Sequence, residues 1–155
     1  MADMDAERYE IRRAQIGDAS EMARLAEQLG YPVPVAEMAE RLAALLPNGR
    51  HCIAVIASGE RLVGRVHVEH RSSLEAGDRA ELMALVVDSS ARRRGLVEYA
   101  EAWAVSRGLA ALTVRSNAAR ELSHPFYEAL GYSRDKTQHV YSKALQSASE
   151  VACRT

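Results

Sequence analysis

Three consecutive arginines and a glycine, Arg92 to Gly95, lie between an apolar run and a helix-like pattern. The run from Leu82 to Val87 is typical of a strand buried on both faces. Apolar residues then recur at helical spacing from Leu96 until Arg107-Gly108, a pair typical of a helix end. The unpaired backbone N–H groups at such a helix start attract an anion, and arginines add full positive charge. The pattern predicts a pyrophosphate site, with a solvated basic turn that binds nothing as the alternative.

The size and charge balance of the chain exclude several classes of protein. Its 155 residues predict one domain over 1–155, with a core at about 9–145 and a polar tail that frays at 146–155. The 20 Lys and Arg residues balance 21 Asp and Glu residues, which gives no support for nucleic-acid binding. No apolar run approaches the ~20 residues of a membrane helix, and the acidic N-terminus does not resemble a signal peptide. We therefore expect neither nucleic acid nor a membrane as a partner.

The two cysteines, Cys52 and Cys153, are widely separated and do not form a disulfide framework. Cys52 lies in an apolar, strand-like run and Cys153 lies in the tail. Reduced thiols are typical of the cytosol, so a cytoplasmic location is expected. No Cys and His residues have the spacing of metal ligands, and no metal site is predicted.

The elements before the central stretch are predicted from periodicity and turn residues. Asp18 resembles a helix N-cap, with Glu21 completing a capping box, and Gly30 ends that helix. A first strand is predicted at Tyr9 to Ala14 and a second helix at about Val35 to Leu46. A hairpin is predicted from the two strands His51 to Ala57 and Arg61 to His70.

The second half of the chain continues the alternation of strands and helices. A loop is predicted at Arg71 to Arg79 and a strand at Leu109 to Val114. A short helix is predicted at about Glu121 to Leu130 and a last strand at about Thr137 to Leu145. A β-α-β crossover in the middle requires part of the sheet to be parallel. The simplest packing is one mixed sheet with helices on its faces.

In this order of elements and in several local patterns, the sequence resembles the GCN5-related N-acetyltransferases over roughly Tyr9 to Leu145. A-E-L-M-A-L-V-V-D resembles the fourth strand of that family, and R-R-R-G-L resembles its acetyl-CoA loop. T-V-R-S-N and S-H-P-F-Y-E-A-L-G-Y resemble its fifth strand and following helix, and K-T-Q-H-V-Y-S-K-A-L its closing strand. The resemblance implies an α/β fold with a mixed, mostly antiparallel sheet, a splayed parallel pair, and helices on both faces.

The resemblance also implies acetyl-CoA as co-substrate and assigns residues to it. The pyrophosphate is assigned to Arg92, Arg93, Arg94, Gly95 and Leu96. The pantetheine arm is assigned to backbone groups of Leu85, Val86 and Val87, since its amides can pair like an added strand. The Val87 N–H is also a candidate donor to the thioester carbonyl. Asn117 is assigned to cofactor amide or carbonyl groups, although asparagine also favours turns for local reasons.

The chain departs from the family pattern just after Leu96. Val97 stands where the family has a second glycine or alanine, and a piece resembling Gly-x-x-Leu is absent. The segment is therefore about one helical turn, or ~3.6 residues, shorter than usual. A glycine lets backbone approach phosphate closely, so its loss bears on the tightness of cofactor binding.

For the chemistry, the resemblance suggests two side chains. Glu81 matches a position where some members carry a catalytic glutamate, and a solvated acid at the strand end is the alternative. Tyr127 matches the tyrosine of Phe-Tyr-Glu-x-x-Gly-Tyr and is a candidate acid for the departing sulfur, with a core tyrosine as the alternative. His67, Glu69 and His70 lie on or beside the third strand, either lining an acceptor cleft or forming an exposed sheet face.

The activity that the resemblance implies is transfer of an acetyl group from acetyl-CoA to a primary amine of a small molecule or peptide, by direct attack. Two alternatives stay open: a non-catalytic acyl-CoA-binding or regulatory module on the same fold, and an interaction domain without a cofactor. The amine is not specified by the sequence. A homodimer is left open, since dimers are common among similar proteins.

Overall fold

A computed structural model describes residues 8–28, 30–87, 90–115 and 123–146. The chain divides into two compact units, Met1–Asn117 and Ala118–Thr155. The expectation of a single domain over residues 1–155 stays a prediction. Among the described residues, the larger unit contains the sheet and the smaller unit contains one short helix.

Five strands form one sheet in the order in which they occur along the chain. They are β1 (Glu10–Arg13), β2 (His51–Ser58), β3 (Arg61–Ser73), β4 (Gly77–Val87) and β5 (Leu112–Val114). Neighbouring strands pair antiparallel from β1 to β4, whereas β4 and β5 pair in parallel. The predicted mixed, mostly antiparallel sheet with one parallel pair is confirmed.

Three α-helices of the larger unit accompany the sheet: α1 (Ala19–Gln28), α2 (Val35–Leu45) and α3 (Ser90–Ser106). A 3-10 helix, Ile16–Asp18, precedes α1. Apolar residues of α1 and α2 form one core with β2, through side chains such as Met22, Leu42 and Val55. The buried stripe of α3, from Leu96 to Ala104, accompanies β2, β3 and β4. The side chain of Ile11 lies beside α3, and Ile11 pairs with Ile56, which alternates with Val55 along β2. Hence α3 covers the face opposite α1 and α2.

The loop predicted at Arg71 to Arg79 is wrong, because most of it is strand. Strands β3 and β4 continue their pairing out to Ser73 and Gly77, so that only a tight turn remains. Gly77 has a φ of 66°, a conformation that glycine adopts without steric cost. Polar cross-strand pairs stabilise this end of the hairpin, among them Ser72 with Asp78. Apolar periodicity does not report strands held in this way.

The capping box predicted for Asp18 and Glu21 is also wrong. The Asp18 carboxylate closes the preceding 3-10 helix and accepts the Gln15 N–H at 2.8 Å. It also accepts two hydrogen bonds from the Arg12 guanidinium, each 2.8 Å long. Glu21 instead pairs with Arg24 of its own helix at 2.7 Å. An arginine six residues upstream therefore binds the carboxylate that the local pattern assigned to capping.

The smaller unit contains α4 (Ser123–Ala129), which ends at Gly131 with a φ of 92°. The last strand predicted at Thr137 to Leu145 is not formed, since residues 132–146 contain neither strand nor helix. Apolar side chains of this segment are exposed, Tyr141 to 90%. A strand needs a pairing partner, and the described part of this unit contains no second strand.

Candidate functional site

Strand β4 has an open edge over its last residues. Its parallel pairing with β5 covers Ala80 to Leu82, whereas its pairing with β3 continues to Val87. In the part of the chain that the structure describes, Leu85, Val86 and Val87 therefore have no strand partner on the β5 side. Unpaired N–H and C=O groups along such an edge can bind an extended chain of amides.

A β-bulge lies where the two parallel strands separate. The register between β3 and β4 shifts at His67 and Val68, and Met83 is left without an opposite residue. A bulge bends its strand and increases the local twist. Because the bulge follows directly after the last residue that pairs with β5, Leu82, it accounts for the early end of that pairing. The sequence did not predict it, as no glycine marks the position.

Helix α3 begins earlier than the sequence predicted. It starts at Ser90, so Arg92 to Gly95 lie in its first turns and not in a turn before it. The expected basic, glycine-containing turn is therefore wrong in its conformation. The N–H groups for which the helix itself has no acceptor belong to its first four residues, 90–93, and so include those of Arg92 and Arg93. Both positive features predicted for this corner, helix N-terminus and arginines, are still adjacent in the chain.

The side chains of this segment make contacts within the larger unit. The Arg92 guanidinium carbon lies 4.0 Å from the centre of the Tyr9 ring. Arg94 forms a loose ion pair with Glu98 at 3.9 Å. A Cβ atom at Gly95 would lie 3.0 Å from Ile11 Cδ1, so this glycine allows α3 to pack closely on β1. Leu96 is fully buried, and any contact of this residue with a phosphate would involve its backbone alone.

Glu81 is a buried carboxylate shared by two arginines. Its side chain points to the face of α1 and α2, and the residue is 1% exposed. One oxygen accepts from Arg71 of β3 and the other accepts from Arg115, which follows β5. Burial raises the pKa of the Glu81 carboxyl, but the hydrogen bonds from both arginines outweigh it and hold that pKa below its ordinary value. The carboxylate is therefore ionised, and both of its oxygens are occupied.

Three basic side chains, Arg65, His67 and His51, lie on the same face of the sheet and are called here the basic cluster. The alternation of β3 places Arg65 and His67 on one face of the sheet. His51 of β2 pairs in register with Glu69, which is on that same face, so His51 lies there too. His51 Nδ1 and His67 Nε2 are 2.9 Å apart, so one ring donates to the other. Burial, followed by the charges of His51 and Arg65, lowers the pKa of His67 to about 4. His67 is consequently neutral at pH 7.

The other polar residues predicted on β3 separate onto two faces. Glu69 pairs in register with His51 and shares the face of the basic cluster. His70 lies on the opposite face, where Arg107, the residue after α3, donates to its Nδ1 at 3.2 Å. His67 and Glu69 therefore share one face of β3, and His70 lies on the other.

Two of the predicted site residues are not among the described residues of the larger unit. Tyr127 belongs to the smaller unit, where its ring makes edge contacts with Phe126 and Tyr132 at centroid distances of 5.2 and 6.0 Å. Its carbonyl accepts the N–H groups of Leu130 and Tyr132, which closes α4. Asn117 lies outside the described residues. Sequence reasoning missed Arg65, Arg71 and Arg115, although the polar residues at alternate positions of β3 were a signal for the first two.

The described residues contain neither a cluster of metal ligands nor a membrane-spanning helix. No group of three or more His, Cys, Asp or Glu side chains there is arranged to hold a metal ion. None of the helices in that part of the chain is long and apolar enough to cross a membrane. Cys52 is a buried free thiol, and burial raises its pKa.

Solved structures with known names share this fold. Glucosamine-6-phosphate N-acetyltransferase from Arabidopsis thaliana matches with a TM-score of 0.73 at 21% identity, over 88% of this chain and 99% of that chain. AAC(6')-Iy, in complex with the bisubstrate analogue CoA-S-monomethyl-acetylneamine, matches with a TM-score of 0.75 at 16% identity, over 89% and 99%. A transcriptional regulator from Bacillus halodurans C-125 matches with a TM-score of 0.71 at 26% identity, over 90% and 100%.

The names of these proteins describe different activities, so the structural similarity establishes the fold of this chain and not its reaction. No curated protein is significantly similar to the chain in sequence. A sequence profile, by contrast, matches residues 18–132 and describes the acetyltransferase (GNAT) family. Because this match covers well over half of the 155 residues, the chain belongs to the acetyltransferase (GNAT) family.

Proposed function

We propose that the protein is an N-acetyltransferase that moves an acetyl group from acetyl-CoA to a primary amine of a small molecule or peptide by direct attack. The observation that carries the proposal is the open edge of β4 from Leu85 to Val87, beside the bulge at Met83. Family membership supports acetyl transfer, and the CoA analogue bound by AAC(6')-Iy supports acetyl-CoA as co-substrate.

The residues present fit acetyl-CoA in two respects. Backbone groups of Leu85, Val86 and Val87 would bind the pantetheine amides in the manner of an added strand. The first turn of α3, with the N–H groups for which the helix has no acceptor and the side chains of Arg92, Arg93 and Arg94, would bind the pyrophosphate. Gly95 and Leu96 stay assigned to the pyrophosphate on resemblance alone, because an α-helix pairs their N–H groups internally. Asn117 stays assigned to the cofactor on resemblance alone. The thioester supplies an activated acetyl carbon.

The chain would contribute positioning and proton transfer. A bond from the amine nitrogen to the acetyl carbon forms as the carbon–sulfur bond breaks, the amine loses a proton, and the thiolate gains one. We assign the acid role to Tyr127 on resemblance. Glu81 stays the candidate base, but it must give up a hydrogen bond from Arg71 or Arg115 before it can accept a proton. Its role as base therefore predicts that loosening this arrangement changes the rate.

A second function is favoured by one observation. The first turns of α3 incorporate Arg92 to Gly95, and the N–H group of Gly95 is paired within the helix and not left free for a phosphate. This arrangement fits an acyl-CoA-binding or regulatory module that binds the cofactor without turnover. Titration calorimetry with acetyl-CoA, followed by a free-thiol assay over a panel of amines, separates the two. Binding with thiol release supports the enzyme, and binding without release for any amine supports the module.

A matched pair of variants tests the pyrophosphate assignment. Arg94 and Arg41 are both helix arginines in exposed pairs with a glutamate four residues away, and their side chains are 60% and 61% exposed. Arg94→Ala is expected to weaken acetyl-CoA binding severalfold, since it removes a charge near the phosphates. Arg41→Ala is expected to leave binding unchanged. Equal affinities of the two variants would remove Arg94 from the site.

A further inference from the structure

Arg65 is a part-buried arginine that has no carboxylate partner among the described residues. It lies in the middle of β3, paired in register with Val55 of β2 and Val86 of β4, which are 0% and 6% exposed. Its Nε atom is buried and has no hydrogen-bond partner among the described residues. Burial lowers the pKa of this guanidinium, and no neighbouring acid opposes the effect. The Nε side of this guanidinium is thus held between apolar neighbours, and no acid among the described residues supplies a counter-charge.

Four other arginines of the larger unit have carboxylate partners, whereas Arg79, near the outer end of β4, resembles Arg65 in having a buried Nε without a hydrogen-bond partner among the described residues. Arg65 differs from Arg79 in its position, since it lies in the middle of the sheet between two buried valines. Arg12 pairs with Asp18, Arg24 pairs with Glu21, and Arg71 and Arg115 share Glu81. Each of those acids is already engaged. Glu69 shares the face of Arg65 but is four residues away along the strand, about 13 Å at a rise of ~3.3 Å per residue.

Such an arrangement costs folding free energy, because the buried part of the guanidinium loses its hydration and gains no hydrogen bond in return. The neighbouring group does not relieve it, since His67 is neutral at pH 7 and brings no negative charge. The local potential is therefore positive. A cation kept at such a cost is typical of a binding site, where the ligand supplies the missing counter-charge.

The position of Arg65 indicates what that ligand is. Its register partner Val86 belongs to the open edge of β4, to which the proposed function assigns the pantetheine arm. Side chains directly across an antiparallel pair are about 4.5–5.5 Å apart at Cβ. An acceptor that reaches the acetyl group from this face would pass Arg65.

We propose that Arg65, with His67 beside it, binds an anionic group of the acceptor, so that the substrates are amines that also carry a carboxylate or a phosphate. This inference rests on the proposed function, since it names the acceptor class of that same site. A guanidinium binds either group through two parallel hydrogen bonds, and its Nε can be one of the donors.

The test compares amines that differ only in the anionic group. Glucosamine 6-phosphate is assayed against glucosamine, and L-serine against L-serinamide, in the free-thiol assay with acetyl-CoA. We expect wild-type kcat/KM to favour the anionic member of at least one pair. Arg65→Gln is expected to reduce that preference about ten- to a hundredfold, because a hydrogen-bonded charge is lost. Arg61→Gln, an exposed arginine on the same strand, is expected to keep it.

Two results in this assay would overturn the inference: a wild-type preference for the neutral members, or a preference that Arg65→Gln leaves intact. If no amine releases thiol, the proposed function fails, and a second measurement decides on the anion site by itself. Inorganic phosphate is expected to raise the Tm of wild type more than that of Arg65→Gln. Equal shifts would reject the site.

Measuring the Tm in the absence of ligand tests whether Arg65 has a merely structural role. Removing an uncompensated charge is expected to leave the Tm of Arg65→Gln equal to or above that of wild type. Arg12→Gln, which breaks the pair with Asp18, is expected to lower it. A comparable loss in both variants would show that Arg65 supports the fold and would overturn the inference.

Discussion

Replacing Glu81 by glutamine should destabilise the protein, because one carboxylate holds two arginines. Glu81 is 1% exposed, and its oxygens accept from Arg71 and Arg115 on opposite sides of β4. Glutamine keeps the size of the side chain but removes its charge. It also turns one acceptor into an N–H donor that faces an arginine N–H. Both effects weaken the link between β3 and the segment after β5.

The size of the effect follows from the exposure of the partners. A hydrogen bond to a charged group contributes about 1.5–3 kcal/mol. The Arg71 and Arg115 side chains are 45% and 55% exposed, so they regain water when the carboxylate is lost. We therefore expect the free energy of unfolding to fall by about 2–3 kcal/mol for the two bonds together. For a domain of this size, Tm should fall by roughly 4–12 °C.

Urea unfolding followed by far-UV circular dichroism measures this loss. Glu37→Gln is the control, because Glu37 forms an exposed pair with Arg41 at 3.4 Å and should change stability by less than about 0.5 kcal/mol. A loss for Glu81→Gln no larger than that of the control would refute the reasoning. Arg71→Gln separates stability from catalysis, since it retains the carboxylate and frees one oxygen. If Glu81 is the base, Glu81→Gln lowers kcat by about 10²–10⁴-fold and Arg71→Gln does not.

Three more predictions concern pH, packing and the candidate acid. The free energy of unfolding should fall as the pH drops from about 6.5 towards 4, because the folded protein keeps His67 neutral while the unfolded chain binds a proton there. The urea midpoints at pH 7 and pH 5 should therefore differ less in His67→Gln than in wild type. An equal difference in both proteins would contradict this. A Cβ at Gly64 would lie 3.0 Å from the Val86 carbonyl oxygen. Gly64→Ala should therefore lower the free energy of unfolding by about 1–3 kcal/mol and weaken acetyl-CoA binding. Gly17→Ala is the control and should do neither, because a Cβ there would have nothing within 4 Å. Unchanged calorimetric affinity and urea midpoint for Gly64→Ala would refute that. Tyr127→Phe should lower kcat more than acetyl-CoA affinity, and unchanged turnover would remove Tyr127 from the mechanism.

The strands whose side chains are apolar were predictable from local sequence. The hairpin of β2 and β3 and the run of β4 up to Val87 agree with the structure to within a few residues. The outer ends of β3 and β4 were missed, because cross-strand polar pairs such as Ser72 with Asp78 stabilise them. The segment from Thr137 to Leu145 shows the reverse error, since a strand-like pattern without a neighbouring strand does not form one.

The candidate site was less accessible to sequence reasoning than the fold. The arginine-rich segment was found from its composition, but the close packing of Gly95 on Ile11, more than eighty positions upstream, cannot be read from local sequence. Glu81 was found as a candidate, whereas its two partners are ten and thirty-four residues away in sequence. The isolation of Arg65 cannot be read from the chain, because it depends on where every acid lies once the sheet has formed.

Hydrogen–deuterium exchange tests the central claim most directly, because that claim concerns backbone N–H groups on the open edge of β4. Acetyl-CoA at a saturating concentration should slow exchange in the peptide containing Leu85 to Val87 and in the first turns of α3. Exchange in β1 and in the outer turn of the β3–β4 hairpin should not change. If acetyl-CoA binds without protecting Leu85 to Val87, or does not bind at all, the cofactor does not lie along β4 and the account is contradicted.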